Sequence, residues 1–266
     1  MKRRVFVVML LLFAVPFFCF AAGSAEKSGD SQEKILRVIT AESFYPHIYR
    51  DPSTGNLTGF EYDIIEEIAK RTGYKTKWSF AGDPAAMFGS IDAGKVDTIA
   101  LSISVSEARK KIYTFSEVYL YDKIRLVTLA DNPAKGIDDF QGKKVCIELG
   151  GINQPFFDKY NEKLPEDKKI KTVMIEGSNI ENLELGRFDA YPLSVLSFDS
   201  LMKRKPYNIK MVGDTIVINT SAYPFSKKAD PKMVEAFNKT IKEMHKDGTL
   251  SALSLKYFKR DATKAE

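Results

Sequence analysis

The sequence predicts an α/β protein of two lobes, in which each lobe is a mostly parallel β-sheet flanked by helices and two hinge strands join the lobes. Three observations predict this fold class. Apolar runs of strand length alternate with segments of helical periodicity. The alternation occurs twice, with the similar segments GKVD at 94–97 and GRFD at 186–189 at corresponding places in the two halves. A second apolar crossing at 215–225 then returns the chain to its first half.

The first half alternates strands and helices. An aromatic loop at 44–49 and a turn at 51–56 separate the first strand from the first helix. That helix has apolar residues at helical spacing and ends at Gly73, and the next helix ends at Gly94. The predicted elements are a strand at 35–40, a helix at 59–73, a strand at 75–80, a helix at 84–93 and a strand at 98–101.

The second half has the same alternation. An apolar strand at 124–129 leads into it, and a helix that begins at Pro231 follows the return crossing. The predicted elements are strands at 145–149, 171–175, 189–193 and 209–212, and helices at 154–161, 179–185 and 195–203. We predict lobe 1 as residues 35–127 plus 222–260, and lobe 2 as residues 128–221.

The first 22 residues have the features of a secretory signal peptide. Three basic residues at 2–4 precede an apolar run at 5–18, and small residues follow at 21–23. The run is short for a membrane span. We therefore predict that residues 1–22 are removed, that residues 23–34 form a flexible linker, and that the mature protein is periplasmic or otherwise extracytoplasmic.

Cys19 raises the alternative of a lipid anchor on an acylated N-terminal cysteine. The flexible polar linker at 23–34 suits a membrane-anchored domain. The residues before Cys19, Pro16-Phe17-Phe18, are bulky where lipoprotein processing requires small side chains. Simple export is the prediction, and the anchor is its alternative.

Charge and cysteine content exclude several classes of partner. Residues 1–22 hold three of the 40 basic residues and none of the 35 acidic ones, so the remainder has a net charge near +2, too balanced to predict nucleic acid as a partner. Cys146 is then the one remaining cysteine, and we predict a buried thiol. His47 and His245 lack metal-ligand spacing, so no metal or cofactor is predicted.

The residues after the strand at 98–101 are of the types that bind a carboxylate. Ser102 and Ser104 follow the strand, and Arg109 follows them. Hydroxyls and backbone N–H groups donate to one carboxylate oxygen, while a guanidinium binds both oxygens. On these residues alone, a solvated turn followed by surface cations is an equally good interpretation.

Several segments together resemble the extracytoplasmic solute-binding proteins of polar amino-acid ABC transporters, which are bacterial solute-binding proteins of family 3. The resemblance covers 36–258 in order. Its segments are LRV at 36–38, GFEYDIIEEIAKRTG at 59–73, GKVDTIALSISVSEARKKIYTFSEVYLYD at 94–122, GKKVCIELG at 142–150, GRFDA at 186–190 and MHKDGTLSALSLKYF at 244–258. It implies the type II periplasmic-binding-protein fold, a ligand enclosed between the lobes, and delivery to a membrane permease. We expect a monomer.

The resemblance also implies ligand contacts. Phe44 matches an aromatic residue that faces the ligand side chain, Ser102 and Ser104 match residues that bind the ligand after the third strand, and Arg109 matches the arginine that binds the α-carboxylate. In the second lobe the matching loop is 150–153, of which Gly151 and Ile152 are candidate contacts. Ser194 matches the position after the second-lobe strand.

The residues that bind the α-ammonium in the family differ here. Ala41 stands where the family has an acid after the first strand, and Ser194 stands where it has an aspartate. Glu42 or Glu148 could replace these acids, since an unpaired buried cation is costly. Alternatively, the ligand is a carboxylate without that amine, or a modified or aromatic one that packs against Phe44 and Trp78. The family resemblance favours an amino acid or a close derivative.

Two other functions remain open at this point. Exported enzymes that resemble cyclohexadienyl dehydratase have this fold, and Glu148 would be the candidate acid or base. A ligand-sensing protein without a role in transport is the third possibility. We predict a binding protein and not an enzyme.

Overall fold

The structure is a computed structural model that describes residues 33–148, 151–175 and 178–265. These residues belong to one compact unit. The predicted signal peptide, Cys19 and most of the linker lie outside the described residues, as does Gly150.

The strands follow the sequence in chain order. They are β1 Ile35–Thr40, β2 Ser43–Phe44, β3 Ile48–Arg50, β4 Leu57–Thr58, β5 Lys75–Phe80, β6 Thr98–Ile99, β7 Tyr113–Phe115, β8 Leu120–Leu129, β9 Lys144–Cys146, β10 Lys171–Val173, β11 Tyr191–Ser194, β12 Ile209–Ser221 and β13 Pro224–Ser226.

Helices alternate with these strands. They are α1 Phe60–Thr72, α2 Pro84–Asp92, α3 Glu107–Ile112, α4 Gln154–Asn161, α5 Asn179–Glu184, α6 Val195–Arg204, α7 Pro231–Lys246 and α8 Thr249–Phe258, with short 3₁₀ turns at Ile137–Phe140 and Glu166–Lys168. Among the described residues, no helix is long and apolar enough to cross a membrane.

The first sheet is parallel, with β1 between β5 and β6. Its core forms because α1 presents one apolar stripe, which includes Ile64, Ile65 and Ile68, all fully buried. These residues pack in one cluster with Phe237 and Ile241 of α7. The C-terminal helices therefore complete the core of the first sheet, as the predicted return of the chain requires.

The second sheet is also parallel. β9 pairs with β10, and Ala190 forms a parallel bridge to Val145. A separate cluster covers it, with Val145, Phe157 and Ile170 buried. The predicted buried thiol is confirmed, because Cys146 is 6% exposed.

A long antiparallel sheet links these two regions. β8 lies between β11 and β12, and the β8–β12 register runs from Leu120 opposite Ser221 to Leu129 opposite Ile209, with an irregularity between Val212 and Val217. β8 begins four residues before the predicted strand at 124–129, and β12 joins the predicted strand at 209–212 to the return crossing and ends at Ser221. Two paired strands satisfy each other's backbone groups along their full length. The lobe boundaries stay a prediction.

The sequence pattern did not predict two elements of the structure. The residues at 102–109 allowed two interpretations, a carboxylate site or a solvated turn followed by surface cations, and neither predicted α3, a helix capped by the Ser106 hydroxyl, which accepts from the Arg109 N–H. None of its residues is buried, so it has no apolar stripe to detect. The aromatic loop also forms the small sheet β2–β3–β4.

Candidate functional site

The carboxyl ends of three parallel strands meet at one edge of the first sheet. β1 ends at Thr40, β5 at Phe80 and β6 at Ile99, and the register pairs Thr40 with Phe80 and Ile39 with Ile99. The segments that follow these strands therefore begin side by side. This edge is where open α/β sheets bind ligands.

Arg109 projects from α3, in the segment that follows β6. Its Nη1 donates a hydrogen bond to the backbone carbonyl of Ser104 at 3.0 Å, and its guanidinium lies 5.3 Å from the ring centroid of Phe88. The carbonyl and the ring orient the guanidinium, so its remaining N–H groups are available in a defined plane.

Arg109 differs from Arg37 and Arg50 in its partners, whereas Arg125 likewise donates to a backbone carbonyl, that of Gly213. Arg37 is paired with Asp97, and Arg50 is paired with Glu42. In the part of the chain that the structure describes, no carboxylate lies within 4.0 Å of the Arg109 guanidinium. A half-buried arginine that is oriented but not neutralised can bind a ligand carboxylate.

Ser102 is hydrogen-bonded within the protein. Its backbone N–H and its hydroxyl both donate to Glu61, at 3.0 and 2.7 Å, and its Oγ lies 2.7 Å from His47 Nδ1. Its carbonyl accepts from the Ser221 hydroxyl at 3.2 Å. That Ser102 contacts the ligand stays a prediction, and these bonds assign it an internal role as well.

Phe44 is joined to this network by stacking. Its ring lies 4.4 Å from that of His47, nearly parallel at 7°, and the His47 ring also contacts Phe258, with centroids 4.8 Å apart. Phe44 is 36% exposed, whereas His47 is 3% exposed. Burial lowers the pKa of His47 to about 3, so its ring is neutral and acts as a support for Phe44.

The first-loop carboxylate, Glu42, is paired. Its Oε1 accepts from Arg50 Nε at 2.6 Å, and the Arg50 guanidinium lies 4.9 Å from the ring centroid of Phe80. Glu42 is exposed. Its charge is therefore compensated by Arg50.

In the described part of the second-lobe loop, Gly151 lies close to Glu148. Gly151 donates to the carbonyl of Glu148 at 3.0 Å, and a Cβ at Gly151 would lie 2.9 Å from that oxygen. Ile152 is half-buried, and the Glu148 side chain is exposed. Among the described residues, no hydrogen bond joins Gly151 or Ile152 to Arg109, and their roles in binding stay predictions.

Ser194 lies at the end of β11 and caps α6. Its Oγ accepts from the Ser197 N–H at 3.0 Å and donates to the carboxylate of Asp122. Asp122 is 6% exposed, and burial raises its pKa to about 6. A cavity of about 220 Å³ adjoins it, lined also by Leu196 and Arg260.

Sequence reasoning did not single out Glu61 or Asp122, and it considered His47 without predicting that His47 supports Phe44. Glu61, His47 and Asp122 are buried polar side chains that connect predicted ligand residues to the rest of the fold. Glu61 had a detectable signal, because it lies three, four and seven residues before the three isoleucines of the α1 stripe and so belongs to the buried face. Asp122 had a corresponding signal, because it alternates with Leu120 and Ile124 on the buried face of β8.

The first sheet has an oriented arginine at the edge where its parallel strands end. Two long paired strands join this sheet to a second α/β region. Together these features define a two-lobed binding protein for small molecules. The family model described as bacterial extracellular solute-binding proteins, family 3, matches residues 36–260. The chain therefore belongs to this family of extracytoplasmic proteins.

Individual relatives agree with this assignment. The probable amino-acid-binding protein YxeM of Bacillus subtilis (strain 168) is 33% identical over 267 residues, covering 99% of this chain and 97% of YxeM. The L-cystine-binding protein TcyJ of Escherichia coli (strain K12) is 30% identical, covering 88% of this chain and 86% of TcyJ. The crystal structure of the probable amino-acid ABC transporter extracellular-binding protein ytmK of Bacillus subtilis has a TM-score of 0.75 at 24% identity, covering 85% of this chain and 98% of that one, which supports the fold.

Proposed function

We propose that this chain is the substrate-binding component of an ABC importer, which binds an amino acid in the cleft beside Arg109 and delivers it to a membrane permease. Family membership supports the class of function, and the names of YxeM and TcyJ support an amino-acid ligand. The observation that carries the proposal is the Arg109 guanidinium, oriented by Ser104 and Phe88 without a carboxylate partner among the described residues.

Binding begins, in this proposal, on the first lobe. Phe44 covers the ligand side chain, Ser102 and Ser104 face the ligand, and Arg109 binds its carboxylate. Rotation about β8 and β12 then brings in the loop that contains Gly151 and Ile152, and also Ser194. The contacts that the second lobe adds favour the closed form, which docks on the permease.

The structure supports recognition of the carboxylate more strongly than recognition of the ammonium. Glu42 is paired with Arg50, and Ser194 is hydrogen-bonded to Asp122. Glu148 has an exposed side chain in the second-lobe loop. We therefore propose an amino acid or close derivative whose carboxylate is the dominant recognition group, with L-cystine as the first ligand to test because TcyJ is named for it.

Two analogues of L-cystine separate these groups. Cystamine lacks both carboxylates, and 3,3′-dithiodipropionate lacks both amines. Calorimetry should show binding of L-cystine and no binding of cystamine. Equal affinity for L-cystine and 3,3′-dithiodipropionate would show that the amine is not recognised. A panel of other amino acids, and native mass spectrometry for a co-purified ligand, extend the search.

Arg109→Ala tests the carboxylate site directly. We expect at least a 100-fold loss of affinity, about 2.7 kcal/mol, because the ligand carboxylate would lose its paired cation. Arg71→Ala is the matched control, since Arg71 pairs with Glu67 and Asp247 on the helical surface. Unchanged affinity in Arg109→Ala would contradict the proposal.

We also propose that the protein catalyses no reaction. Its relatives are named as binding proteins, and Glu148, the candidate acid for a dehydratase-like reaction, is exposed. Incubation with a prephenate-like compound should leave that compound unchanged. Loss of a permease gene that neighbours this one should abolish uptake if the role is transport and not sensing.

Simple export is the proposal for localisation, with a lipid anchor on Cys19 as the alternative. Mass spectrometry of the mature protein distinguishes cleavage after residue 22 from acylation at Cys19. We propose a monomer without affinity for nucleic acid, which size-exclusion chromatography with light scattering and a filter-binding assay would check.

A further inference from the structure

Glu61 is a fully buried carboxylate in the first turn of α1. The backbone N–H of Glu61 donates to the carbonyl of His47 at 2.8 Å, and that of Phe60 donates to Pro46 at 3.2 Å. The start of α1 is thus attached to the aromatic loop that contains Phe44. The Glu61 side chain points away from solvent and into the core.

One oxygen of Glu61 accepts three hydrogen bonds. The donors are the N–H of Ser102 at 3.0 Å, the hydroxyl of Ser102 at 2.7 Å and the hydroxyl of Tyr119 at 2.7 Å. Among the described residues, no basic side chain pairs with it, and burial raises its pKa. A buried carboxylate is costly, and an apolar residue would pack this site with less penalty. What the carboxylate provides, and an apolar residue would not, is an acceptor for these three donors.

The first pair of donors holds the ligand segment 102–109. Ser102 has a φ of 47°, in the left-handed region that residues other than glycine rarely adopt. This conformation persists only where surrounding contacts enforce it, and the two bonds from Ser102 to Glu61 do so. Ser104 follows two residues later, and its carbonyl orients Arg109.

The third donor connects Glu61 to the linking strands. Tyr119 immediately precedes β8, and Tyr223 lies two residues after β12. Their rings stack at 4.4 Å and 15°. The Ser221 hydroxyl at the end of β12 also donates to the Ser102 carbonyl. Both strands are therefore tied to the start of the ligand segment at one point.

The same hydroxyl of Ser102 reaches the aromatic loop. It has one proton, which it donates to Glu61, so its 2.7 Å contact with His47 requires that Nδ1 carries the ring proton. His47 in turn stacks on Phe44. The Glu61 carboxylate is thus connected to Phe44 through Ser102 and His47, and to the segment that presents Arg109. It is also connected to the start of β8 and the end of β12.

We infer that Glu61 is a positioning residue for ligand binding, which holds the segment 102–109 in its binding conformation and couples that segment to β8 and β12. The inference rests on the proposed function of Arg109 and Phe44. It predicts that removal of the carboxylate weakens binding although no ligand atom touches it.

Glu61→Met is the principal test. Methionine fills the site without accepting hydrogen bonds. We expect a folded protein whose affinity for L-cystine, measured by calorimetry, falls at least tenfold. Glu61→Gln keeps an acceptor oxygen and should recover most of the affinity. If Glu61→Met does not fold, Tyr119→Phe removes one donor to Glu61 and keeps the ring, and it should weaken binding and speed amide exchange in segment 102–109; parent-like affinity and exchange in Tyr119→Phe would then overturn the inference. Ile65→Val, on the same buried face, is the control and should bind as the parent protein does.

Hydrogen exchange gives a readout that does not need a ligand. In Glu61→Met, amides in segments 102–109 and 119–123 should exchange at least tenfold faster, while those of β5 keep their rates. Ile65→Val should show no such local change. Parent-like affinity and parent-like exchange in Glu61→Met would overturn the inference. If the parent protein binds no amino acid, the proposed function fails, and the exchange experiment still decides the role of Glu61.

Discussion

Ser194 donates a hydrogen bond to Asp122 across 72 residues of sequence and at the same time caps α6. A predicted ligand residue of the second lobe is therefore attached to β8, one of the two strands that link the lobes. Asp122 is buried beside a cavity, and its Oδ1 has no hydrogen-bond partner among the described residues. This carboxylate therefore fixes the position of Ser194 relative to β8.

The first prediction concerns the stability of Asp122→Asn. Burial raises the pKa of Asp122 from its ordinary 3.8 to about 6, an effect that Ser194 and Arg260 oppose. The folded state therefore binds the proton more tightly than the unfolded state, and ionisation costs stability as pH rises from about 4 to 6. Asparagine removes that cost. The variant should gain up to about 3 kcal/mol relative to the parent protein at pH 7 and almost nothing at pH 4.

Urea unfolding at pH 4, 5, 6 and 7 measures this difference. Asp158→Asn, at an exposed site on α4, is the control and should change stability by less than about 0.5 kcal/mol at each pH. A gain from Asp122→Asn that does not depend on pH would show that Asp122 does not titrate in this range.

His47→Phe should give the opposite pH dependence. Burial lowers the pKa of His47 to about 3, so the folded state excludes the proton that the unfolded state binds below pH 6.5. The parent protein should therefore lose about 3 kcal/mol relative to His47→Phe between pH 6.5 and pH 4. Parallel stability curves for the two proteins would contradict the assignment of a neutral His47.

Gly59→Ala should be severely destabilising. Gly59 has a φ of 126°, and a Cβ there would lie 2.5 Å from the backbone oxygen of His47. The clash would displace the aromatic loop and Phe44, so we expect a loss of about 3 kcal/mol or more in unfolding free energy, together with weaker ligand binding.

Gly73→Ala is the matched control for this change. Gly73 has a φ of 74° but faces open space, so alanine there should cost only about 1–2 kcal/mol. Its affinity for L-cystine should not change. Thermal unfolding and calorimetry distinguish the two variants, and equal losses of stability would contradict the close approach at Gly59.

Phe88→Leu tests how Arg109 is oriented. Removal of the ring 5.3 Å from the guanidinium should weaken binding of L-cystine about two- to fivefold, because the cation–π contact contributes about 0.5–1 kcal/mol. Phe156→Leu, on α4, removes a ring that stacks on Tyr160 and serves as the control. An affinity loss as large as that of Arg109→Ala would mean that Phe88 has a direct role.

The sequence alone was sufficient for the main elements. The strand at 35–40, the strand at 75–80 and the helix at 154–161 are where their patterns predicted them, and α1 differs only at its ends. Periodicity of burial is a local property, so it can be recognised without the partner element. The family segments likewise identified Arg109 as the candidate carboxylate-binding residue before any geometry was known.

Short or mixed segments were less predictable. α3 has six residues and no buried face, and β8 begins four residues earlier than its apolar run. Pairing with β12 extends β8 through Tyr121 and Lys123, which no apolar pattern marks as strand. Pairing with a distant strand therefore decided the length of β8, whereas α3 begins at its own Ser106 cap without an apolar stripe.

Only the tertiary structure decided how the candidate site is organised. Glu61 and Ser102 are 41 residues apart, and Asp122 and Ser194 are 72 apart, yet each pair shares a hydrogen bond. Spacing along the chain specifies which face of an element is buried, whereas a hydrogen bond depends on the position and direction of two atoms from different elements. The sequence therefore determined that Arg109 follows the strand β6. The fold determined that the buried Glu61 holds the segment that presents Arg109.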